Sequence, residues 1–299
     1  HNPRGSALGF AVTHGSALIL TTPGVPGELR AMLPEVCRRL RDHLGDTIVA
    51  SQQYTLRLQT FGIGESAIQE IVKQHIRDWP EQVSLGFRSG LPQLELKLTV
   101  GDQRHLPLRD QCYQALVDTL GDHIIGDNDT TLAAALQAEL RAQGKTVVTA
   151  ESCTGGLIAA MITREAGASE VFHAGYVSYA NTVKHQLLHV PMAVLEQHGA
   201  VSRPVFEHML QGALQRSGAD MGVAVSGVAG PGGGTQDKPV GTVWIAWGSR
   251  NHCSAGRFQI PGDRLIFQTL TAAAAIDLVR RQLLGLPPQP KLLTRFQQR

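Results

Sequence analysis

Strand-like and helical segments alternate through residues 128–286 of this 299-residue chain. This alternation restricts the possible fold classes more than any other feature of the sequence. Short apolar runs predict strands at Thr146–Ala150, Tyr176–Tyr179, Met221–Val225, Val243–Trp247 and Cys253–Ile260. Apolar residues at helical spacing predict helices over Thr131–Ala142, Leu157–Ala166, Val183–Leu188, Met192–Gln197, Pro204–Ser217 and Asp263–Leu284. This order predicts a three-layer α/β domain with a mainly parallel sheet, in which the last two strands form an antiparallel hairpin.

The residues before this domain predict two smaller pieces. Residues 1–45 contain one strand-like run, Ala17–Leu20, and one helical pattern, Glu28–Leu44, which is too little for an independent core. Residues 46–127 predict the order strand, helix, strand, strand, helix, which describes a small α+β domain. We therefore divide the chain into an incomplete domain over 1–45, an α+β domain over 46–127, the α/β domain over 128–286 and a proline-containing tail over 287–299.

Composition excludes several classes of protein. With 42% hydrophobic and 17% charged residues, the chain is built to form a packed core. A formal net charge of +2 and the lack of a basic stripe argue against a nucleic-acid partner. No apolar run is long enough to span a membrane, and no signal peptide is visible. The four cysteines and the histidines show no metal-ligand spacing, so we expect reduced thiols, no metal site and a cytoplasmic protein.

The turn after the first strand of the α/β domain is the strongest candidate for chemistry. Ser152 lies where a nucleophile lies on a strand–turn–helix unit, although spacing alone favours Ser152 or Thr154 as a helix cap. Thr154, Gly155 and Gly156 open the next helix, whose unpaired N–H groups would attract an anion. Cys153 is a competing nucleophile, but consecutive residues in an extended segment face opposite sides, so we expect it to be buried.

Two further segments follow strands and carry polar or glycine residues. Ser226, Gly227 and Gly230 belong to a glycine-rich loop that predicts either an anion cradle or a flexible connector. In the other segment, Tyr179 ends a predicted strand, Asn181 is placed to cap the next helix, and Lys184 falls in its first turn. Lysine opposes the helix dipole there, so helix stability does not explain its placement. The spacing leaves open a base with a lowered pKa in a partly dry cleft and, as the more common case, a solvated lysine. Lys238 and Arg264 are additional cationic candidates for binding phosphate.

These segments together resemble one protein family. The chain contains Thr149-Ala-Glu-Ser-Cys-Thr-Gly-Gly156, Tyr179-Ala-Asn-Thr-Val-Lys184, Gly199-Ala-Val-Ser202, Ser226-Gly-Val-Ala-Gly-Pro231 and Lys238-Pro-Val-Gly-Thr-Val243, in that order. They resemble the C-terminal domain of the CinA (competence/damage-inducible protein) family over about residues 128–286. Residues 1–45 resemble the end of that family's molybdopterin-binding-like domain, and 46–127 resemble its KH-like middle domain.

The resemblance implies an activity and roles for the candidate residues. Stand-alone members of the family hydrolyse the carboxamide of nicotinamide mononucleotide, releasing nicotinate mononucleotide and ammonia. Ser152 would then be the nucleophile, while Tyr179 and Lys184 would relay its proton and serve the leaving ammonia. The predicted substrate-binding residues are Thr154, Gly155, Gly156, Asn181, Ser226, Gly227, Gly230, Lys238 and Arg264. The two glycine-containing loops would share the oxyanion and the 5′-phosphate, in an order that the sequence leaves open.

The resemblance also implies a homodimer, no cofactor for the amidase domain, and a divalent metal that would belong to the missing N-terminal domain. One departure is Phe267, where the family pattern leads us to expect an arginine; Arg257 is a possible substitute. A nucleotide-binding module without catalysis is therefore the alternative function. RNA binding is disfavoured, since Gly62-Ile63-Gly64-Glu65 lacks the GxxG spacing of KH domains and carries an acid.

Overall fold

The computed structural model describes residues 1–45, 52–76 and 78–287. The chain divides into two compact units. One comprises His1–Tyr54 with Val100–Leu106, and the other comprises Thr55–Thr99 with Pro107–Arg299. The predicted domain boundaries at residues 46, 128 and 287 stay predictions, and the predicted tail beyond Pro287 lies outside the described residues.

The first unit is built on a hairpin and a helix. Strand β1 (Phe10–His14) pairs antiparallel with β2 (Ala17–Thr21), and helix α1 (Pro26–Leu44) follows. Pro26 begins α1 because a first-turn residue needs no N–H donor and proline already has a helical φ. Strand β2 matches the predicted run, whereas β1 was not predicted because its segment has no clean apolar alternation.

The second unit begins with an α+β region. Tyr54, Val100 and Leu106, each at one end of an element of this region, belong to the first unit. Its elements are β3 (Tyr54–Thr60), α2 (Glu65–His75), β4 (Ser84–Gly90), β5 (Gln93–Val100), α3 (Leu106–Leu120) and β6 (Ile124–Asp127). The strands lie in the order β4-β5-β3-β6. Strand, helix, strand, strand, helix is the predicted order; β6 is an additional short strand. Helix α2 ends at His75, short of the predicted Trp79.

The rest of this unit is an α/β fold. Its elements are α4 (Leu132–Ala142), β7 (Val147–Glu151), α5 (Leu157–Thr163), β8 (Phe172–Val177), α6 (Asn181–Leu188), α7 (Met192–His198), α8 (Arg203–Ser217), β9 (Met221–Gly227), β10 (Thr242–Gly248), β11 (Cys253–Gln259) and α9 (Arg264–Leu283). The sheet order is β11-β10-β9-β7-β8. Strands β8, β7 and β9 are parallel, so their carboxyl ends meet at one edge of the sheet, where ligands bind in such folds.

The sheet is mixed, which corrects the expectation of a mainly parallel one. Strand β10 runs antiparallel to both β9 and β11. The β10–β11 hairpin was predicted, whereas the antiparallel pairing of β10 with β9 was not. The reason lies in the connection: a parallel pair needs a crossover, usually a helix, whereas residues 228–241 join β9 to β10 as a loop. Strand β8 also differs from its prediction, beginning at Phe172 and ending at Val177, because an edge strand with alternating exposure has no continuous apolar run.

Helices cover both faces of the sheet. Leu136, Ile158 and Ile276, from α4, α5 and α9, pack in one cluster with Val223 of β9 and Ile245 of β10. A second cluster joins Phe206 and Leu210 of α8 to Val148, Ala224 and Ala246. Successive residues of β9 therefore point into different clusters, which explains why its sequence is apolar throughout. The mixed α/β fold class is thus as predicted, with helices packed against this sheet.

An ion-pair network lies within α9. Asp277 accepts hydrogen bonds from Arg280 at 2.8 and 2.9 Å and from Arg281 at 2.7 Å, and all three side chains are buried. The Nη1 of Arg281 also contacts Oδ2 of Asp122 at 2.5 Å, in the 3-10 turn before β6. The network thus ties α9 to the α+β region of the same unit.

Candidate active site

Ser152 and Lys184 meet at the carboxyl edge of the sheet. Ser152 directly follows β7, and its N–H is held by the carbonyl of Val225 on β9 at 3.1 Å. Lys184 lies in the first turn of α6, and its Nζ donates to Oγ of Ser152 at 3.1 Å. The geometry therefore brings together the predicted nucleophile and the predicted base.

The environment of Lys184 favours a neutral amine. Its side chain is fully buried, and within the described residues its hydrogen bonds go only to neutral oxygens. Besides Ser152, these are the carbonyls of Ser178 at 2.7 Å and Tyr179 at 3.0 Å. Burial without a carboxylate partner lowers the pKa of Lys184 to about 8. An amine with that pKa is suited to accept a proton from a hydroxyl near neutral pH.

Glu151, the last residue of β7, caps the next helix from inside the protein. Its buried carboxylate accepts hydrogen bonds from the Thr154 hydroxyl at 2.7 Å and from the N–H groups of Gly156, Ile158 and Ala159 at 2.8–3.0 Å. The prediction that the start of this helix offers unpaired N–H groups to a substrate anion is therefore wrong at these positions. The positive end of the helix is already neutralised by an internal carboxylate.

The first peptides after Ser152 stay available. The N–H groups of Cys153 and Thr154 donate to no other residue in the described parts of the chain, while the N–H of Gly155 is held by the carbonyl of Ser152 at 3.1 Å. Gln268, on α9, donates from Nε2 to the carbonyl of Cys153 at 2.8 Å. Two unpaired N–H groups next to a nucleophile are the usual construction of an oxyanion hole.

The side chain of Cys153 is buried, as predicted, and is unsuited to act as a nucleophile. Its exposed fraction is 3%. Burial, reinforced by the negative charge of Glu151, raises the pKa of its thiol to about 12. A thiolate is the reactive form of cysteine, so this thiol stays protonated and inert at neutral pH.

Arg264 joins the edge of the site to the glycine-rich loop. It begins α9 and donates to the carbonyl of Gly230 at 2.8 Å and to the hydroxyl of Tyr179 at 3.2 Å. Tyr179 lies beyond the end of β8 instead of closing the strand, and its side chain is exposed. Its carbonyl contacts Lys184, whereas its hydroxyl contacts Arg264. Tyr179 thus connects the buried pair to a solvent-facing cation.

Other predicted residues are placed away from these contacts or have structural partners. Asn181 begins α6, but the cap position is Ala180, and no side chain caps that helix. The hydroxyl of Ser226 is buried and donates to the carbonyl of Ala200 at 2.9 Å. Gly227 ends β9 where a Cβ would lie 2.6 Å from the carbonyl oxygen of Thr242. The Lys238 ammonium donates to the carbonyl of His198 at 3.3 Å.

The residues connected with the expected second arginine have other roles here. Phe267 is fully buried in the cluster shared by α9 and the sheet, so this position belongs to the core in this chain. Arg257, the suggested substitute, donates to the backbone carbonyl of Asp237. Gln268, one helical turn after Arg264, is an α9 side chain that does reach the turn after β7. We did not select Gln268 or Glu151 from sequence, although the spacing of Arg264 and Gln268 places them on one helix face.

No cluster of side chains suited to hold a metal ion occurs among the residues that the structure describes. Within the same residues, no helix combines the length and hydropathy needed to cross a membrane.

Comparison with known proteins agrees with the sequence motifs. Residues 129–283 match the family model described as "CinA C-terminal domain". A CinA-like protein of Colwellia psychrerythraea is 44% identical over 94% of this chain. A Shewanella oneidensis protein named nicotinamide-nucleotide amidohydrolase PncC is 37% identical over 95% of it. The chain spans 65% and 66% of the length of these two relatives.

Solved structures show the same relationship over about half of the chain. The competence/damage-inducible protein CihA of Agrobacterium tumefaciens has a TM-score of 0.50 and 40% identity, covering 51% of this chain and 93% of that protein. A CinA superfamily protein of Klebsiella pneumoniae has a TM-score of 0.50 and 34% identity, and the match covers 52% of this chain and 96% of the Klebsiella chain. The motifs, the matched family model and relatives that align along almost the whole chain agree: this protein belongs to the CinA family.

Proposed function

We propose that this chain is a serine-type amidohydrolase that converts nicotinamide mononucleotide to nicotinate mononucleotide and ammonia, in the recycling of pyridine nucleotides. The observation that carries the proposal is the 3.1 Å hydrogen bond between Nζ of Lys184 and Oγ of Ser152, made by a buried lysine with no carboxylate partner in the described residues. The PncC name of the Shewanella relative supports the choice of substrate.

The geometry accounts for each proton in the proposed reaction. Oγ of Ser152 attacks the carboxamide carbon, and its proton passes to Nζ of Lys184. The N–H groups of Cys153 and Thr154 stabilise the oxyanion of the tetrahedral intermediate. Lys184 then returns the proton to the leaving nitrogen, which departs as ammonia and leaves an acyl-serine. Water, deprotonated by the same amine, releases nicotinate mononucleotide and regenerates Ser152.

The position of Glu151 favours one of the two arrangements that the sequence leaves open for the substrate phosphate. Glu151 occupies the N–H groups of α5, and its negative charge disfavours a second anion there. We therefore place the 5′-phosphate near the glycine-rich loop, with Arg264 as its cationic partner and Lys238 as a further candidate. Tyr179, held by Arg264, would line the path between the phosphate and Ser152, and its role as a proton relay remains part of the proposal.

Ammonia release tests the proposed function directly. The unmodified chain is expected to release one ammonia per nicotinamide mononucleotide consumed, with nicotinate mononucleotide identified by mass spectrometry. Calorimetric binding of the nucleotide without ammonia would instead favour the nucleotide-binding module. Neither binding nor ammonia would reject both.

The pH dependence of the reaction reports the state of Lys184. Because the neutral amine is the active base, kcat/KM is expected to rise tenfold per pH unit below about 8, the pKa of Lys184, and then to level off. At pH 7 about a tenth of the molecules would hold the neutral amine, against roughly one in 3,000 for an ordinary lysine. A Lys184→Met variant should lose both the activity and this inflection. A profile that is flat between pH 6 and 9 in the unmodified chain would contradict the assignment.

A further inference from the structure

We propose that Gln268 is a positioning residue that orients the oxyanion-binding N–H of Thr154. The inference rests on the proposed function, because it concerns the same catalytic turn. It starts from one contact: Nε2 of Gln268 donates to the carbonyl of Cys153 at 2.8 Å. That carbonyl belongs to the peptide unit whose N–H is that of Thr154, so the side chain acts on the peptide that follows the nucleophile.

Peptide geometry converts this contact into an orientation. Among the described residues the cis peptide bonds are Leu91–Pro92 and Gly230–Pro231, so the Cys153–Thr154 bond is trans. In a trans peptide the carbonyl and the N–H point in opposite directions. Holding the Cys153 carbonyl on α9 therefore directs the Thr154 N–H away from α9. A hydrogen-bonded carbonyl also polarises its peptide, which makes the attached N–H a stronger donor.

The remaining contacts of the turn explain why this peptide needs an external support. Glu151 binds the hydroxyl of Thr154 and the N–H groups of Gly156, Ile158 and Ala159. Gly155, between these groups, has a φ of +65°, and a Cβ at this position would meet no atom within 4 Å. The Cys153–Thr154 peptide thus has its carbonyl fixed by Gln268 alone among the described side chains, and its N–H unpaired.

The position of Gln268 on α9 couples this peptide to the other end of the site. Arg264, four residues earlier on the helix, binds the hydroxyl of Tyr179 and the carbonyl of Gly230. One face of α9 therefore supports both the glycine-rich loop and the oxyanion peptide. Neighbouring residues of α9, including Phe267 and Ala272, are fully buried and pack the helix into the core.

Two substitutions of similar length isolate the donor. Gln268→Met keeps the length without the N–H donor, and Gln268→Glu keeps the shape but presents an acceptor to the Cys153 carbonyl. We expect kcat for ammonia release to fall about tenfold in Gln268→Met, less than the 10²–10³-fold loss typical of deleting an oxyanion donor, and further in Gln268→Glu. KM should stay within twofold, because the substrate contacts are unchanged. Thr269→Ala, at the next position of α9, is the control: its hydroxyl donates to the Leu265 carbonyl of the same helix, so kcat and KM should stay unchanged.

A fluorophosphonate probe tests the same geometry without the nucleotide. In that reaction the Oγ–P bond forms, the P–F bond breaks, fluoride leaves and the serine proton passes to Lys184. The phosphonyl oxygen carries the developing negative charge, so the rate of labelling Ser152 should fall by a similar factor in Gln268→Met. Thermal unfolding of each variant confirms that the labelled protein is folded.

The results separate the two proposals. If the unmodified chain releases no ammonia but Ser152 is labelled at a rate that depends on Gln268, the proposed substrate is wrong and the positioning role stands. Labelling and kcat within twofold of the unmodified chain in Gln268→Met, or a rise in KM equal to the fall in kcat, would overturn the positioning role. Failure of the probe to label Ser152 in the unmodified chain would overturn it as well.

Discussion

Ser152→Ala is expected to abolish ammonia release from nicotinamide mononucleotide, lowering kcat by about 10⁴-fold or more, as for nucleophile deletions in serine hydrolases. Among the described residues, Oγ of Ser152 is the one hydroxyl that accepts a hydrogen bond from the buried Lys184 amine. Without it, the partners of Lys184 in the described parts of the chain are the carbonyls of Ser178 and Tyr179, and no acyl intermediate can form. Single-turnover kinetics with mass spectrometric detection of the acyl-enzyme would show both losses.

The neighbouring cysteine supplies a matched control for this variant. Cys153→Ala removes a nucleophilic side chain from the same turn, yet kcat should stay within a few fold, because the thiol is buried and its pKa is raised to about 12. Binding of the nucleotide by Ser152→Ala, measured by calorimetry, should remain near that of the unmodified chain. Activity that survives in Ser152→Ala and disappears in Cys153→Ala would assign the nucleophile to the thiol.

Among the substitutions proposed for this chain, Asp277→Asn is expected to destabilise the fold most. The free energy of unfolding should fall by about 3–5 kcal/mol, the range for removing one partner of a buried ion pair. Asp277 is the common acceptor of Arg280 and Arg281, and its exposed fraction is zero. Asparagine has nearly the same size, so packing is retained while two buried guanidinium groups lose their counter-charge. Asp122, itself partly exposed, is the carboxylate that then remains paired with Arg281 within the part of the chain that the structure describes.

Urea unfolding followed by circular dichroism measures this loss, and a surface pair at the same spacing provides the control. Arg203 and Glu207 form an i,i+4 ion pair like that of Asp277 and Arg281, but both side chains are well exposed to solvent. Glu207→Gln should therefore change the free energy of unfolding by less than about 0.5 kcal/mol. Equal small effects in the two variants would show that the buried network contributes no more than a surface pair.

Local patterns were reliable where a segment is buried on both sides or begins with a capping residue. Strand β9 and helix α8 were predicted to within two residues at each end, since apolar periodicity is strongest in buried elements. Helix α9 begins where Asp263 caps it, and its side chain accepts the N–H of Ile266 at 2.9 Å. Strand β8 was misplaced because the exposure of its residues alternates at the edge of the sheet, so its sequence has no continuous apolar run.

The same contrast holds in the site. Sequence order and motif identity pointed to Ser152 and Lys184, which the fold brings within hydrogen-bonding distance. Glu151 lies in the same motif, but the sequence predicted no role for it. No sequence spacing marks a carboxylate that accepts hydrogen bonds from the helix that follows it. Gln268 is 115 residues from the carbonyl that it holds, so no local pattern could connect the two.

The sequence by itself determined the family, the alternation of strands and helices, and the nucleophile and base candidates, because these depend on residue type and short-range order. Only the tertiary structure decided which polar groups remain free for a substrate. Glu151 consumes the N–H groups of α5, Ser226 binds Ala200, and burial in a site without a carboxylate lowers the pKa of Lys184. Hydrogen-bond competition and desolvation depend on neighbours brought together by folding, and they settle which candidate residues are available for chemistry.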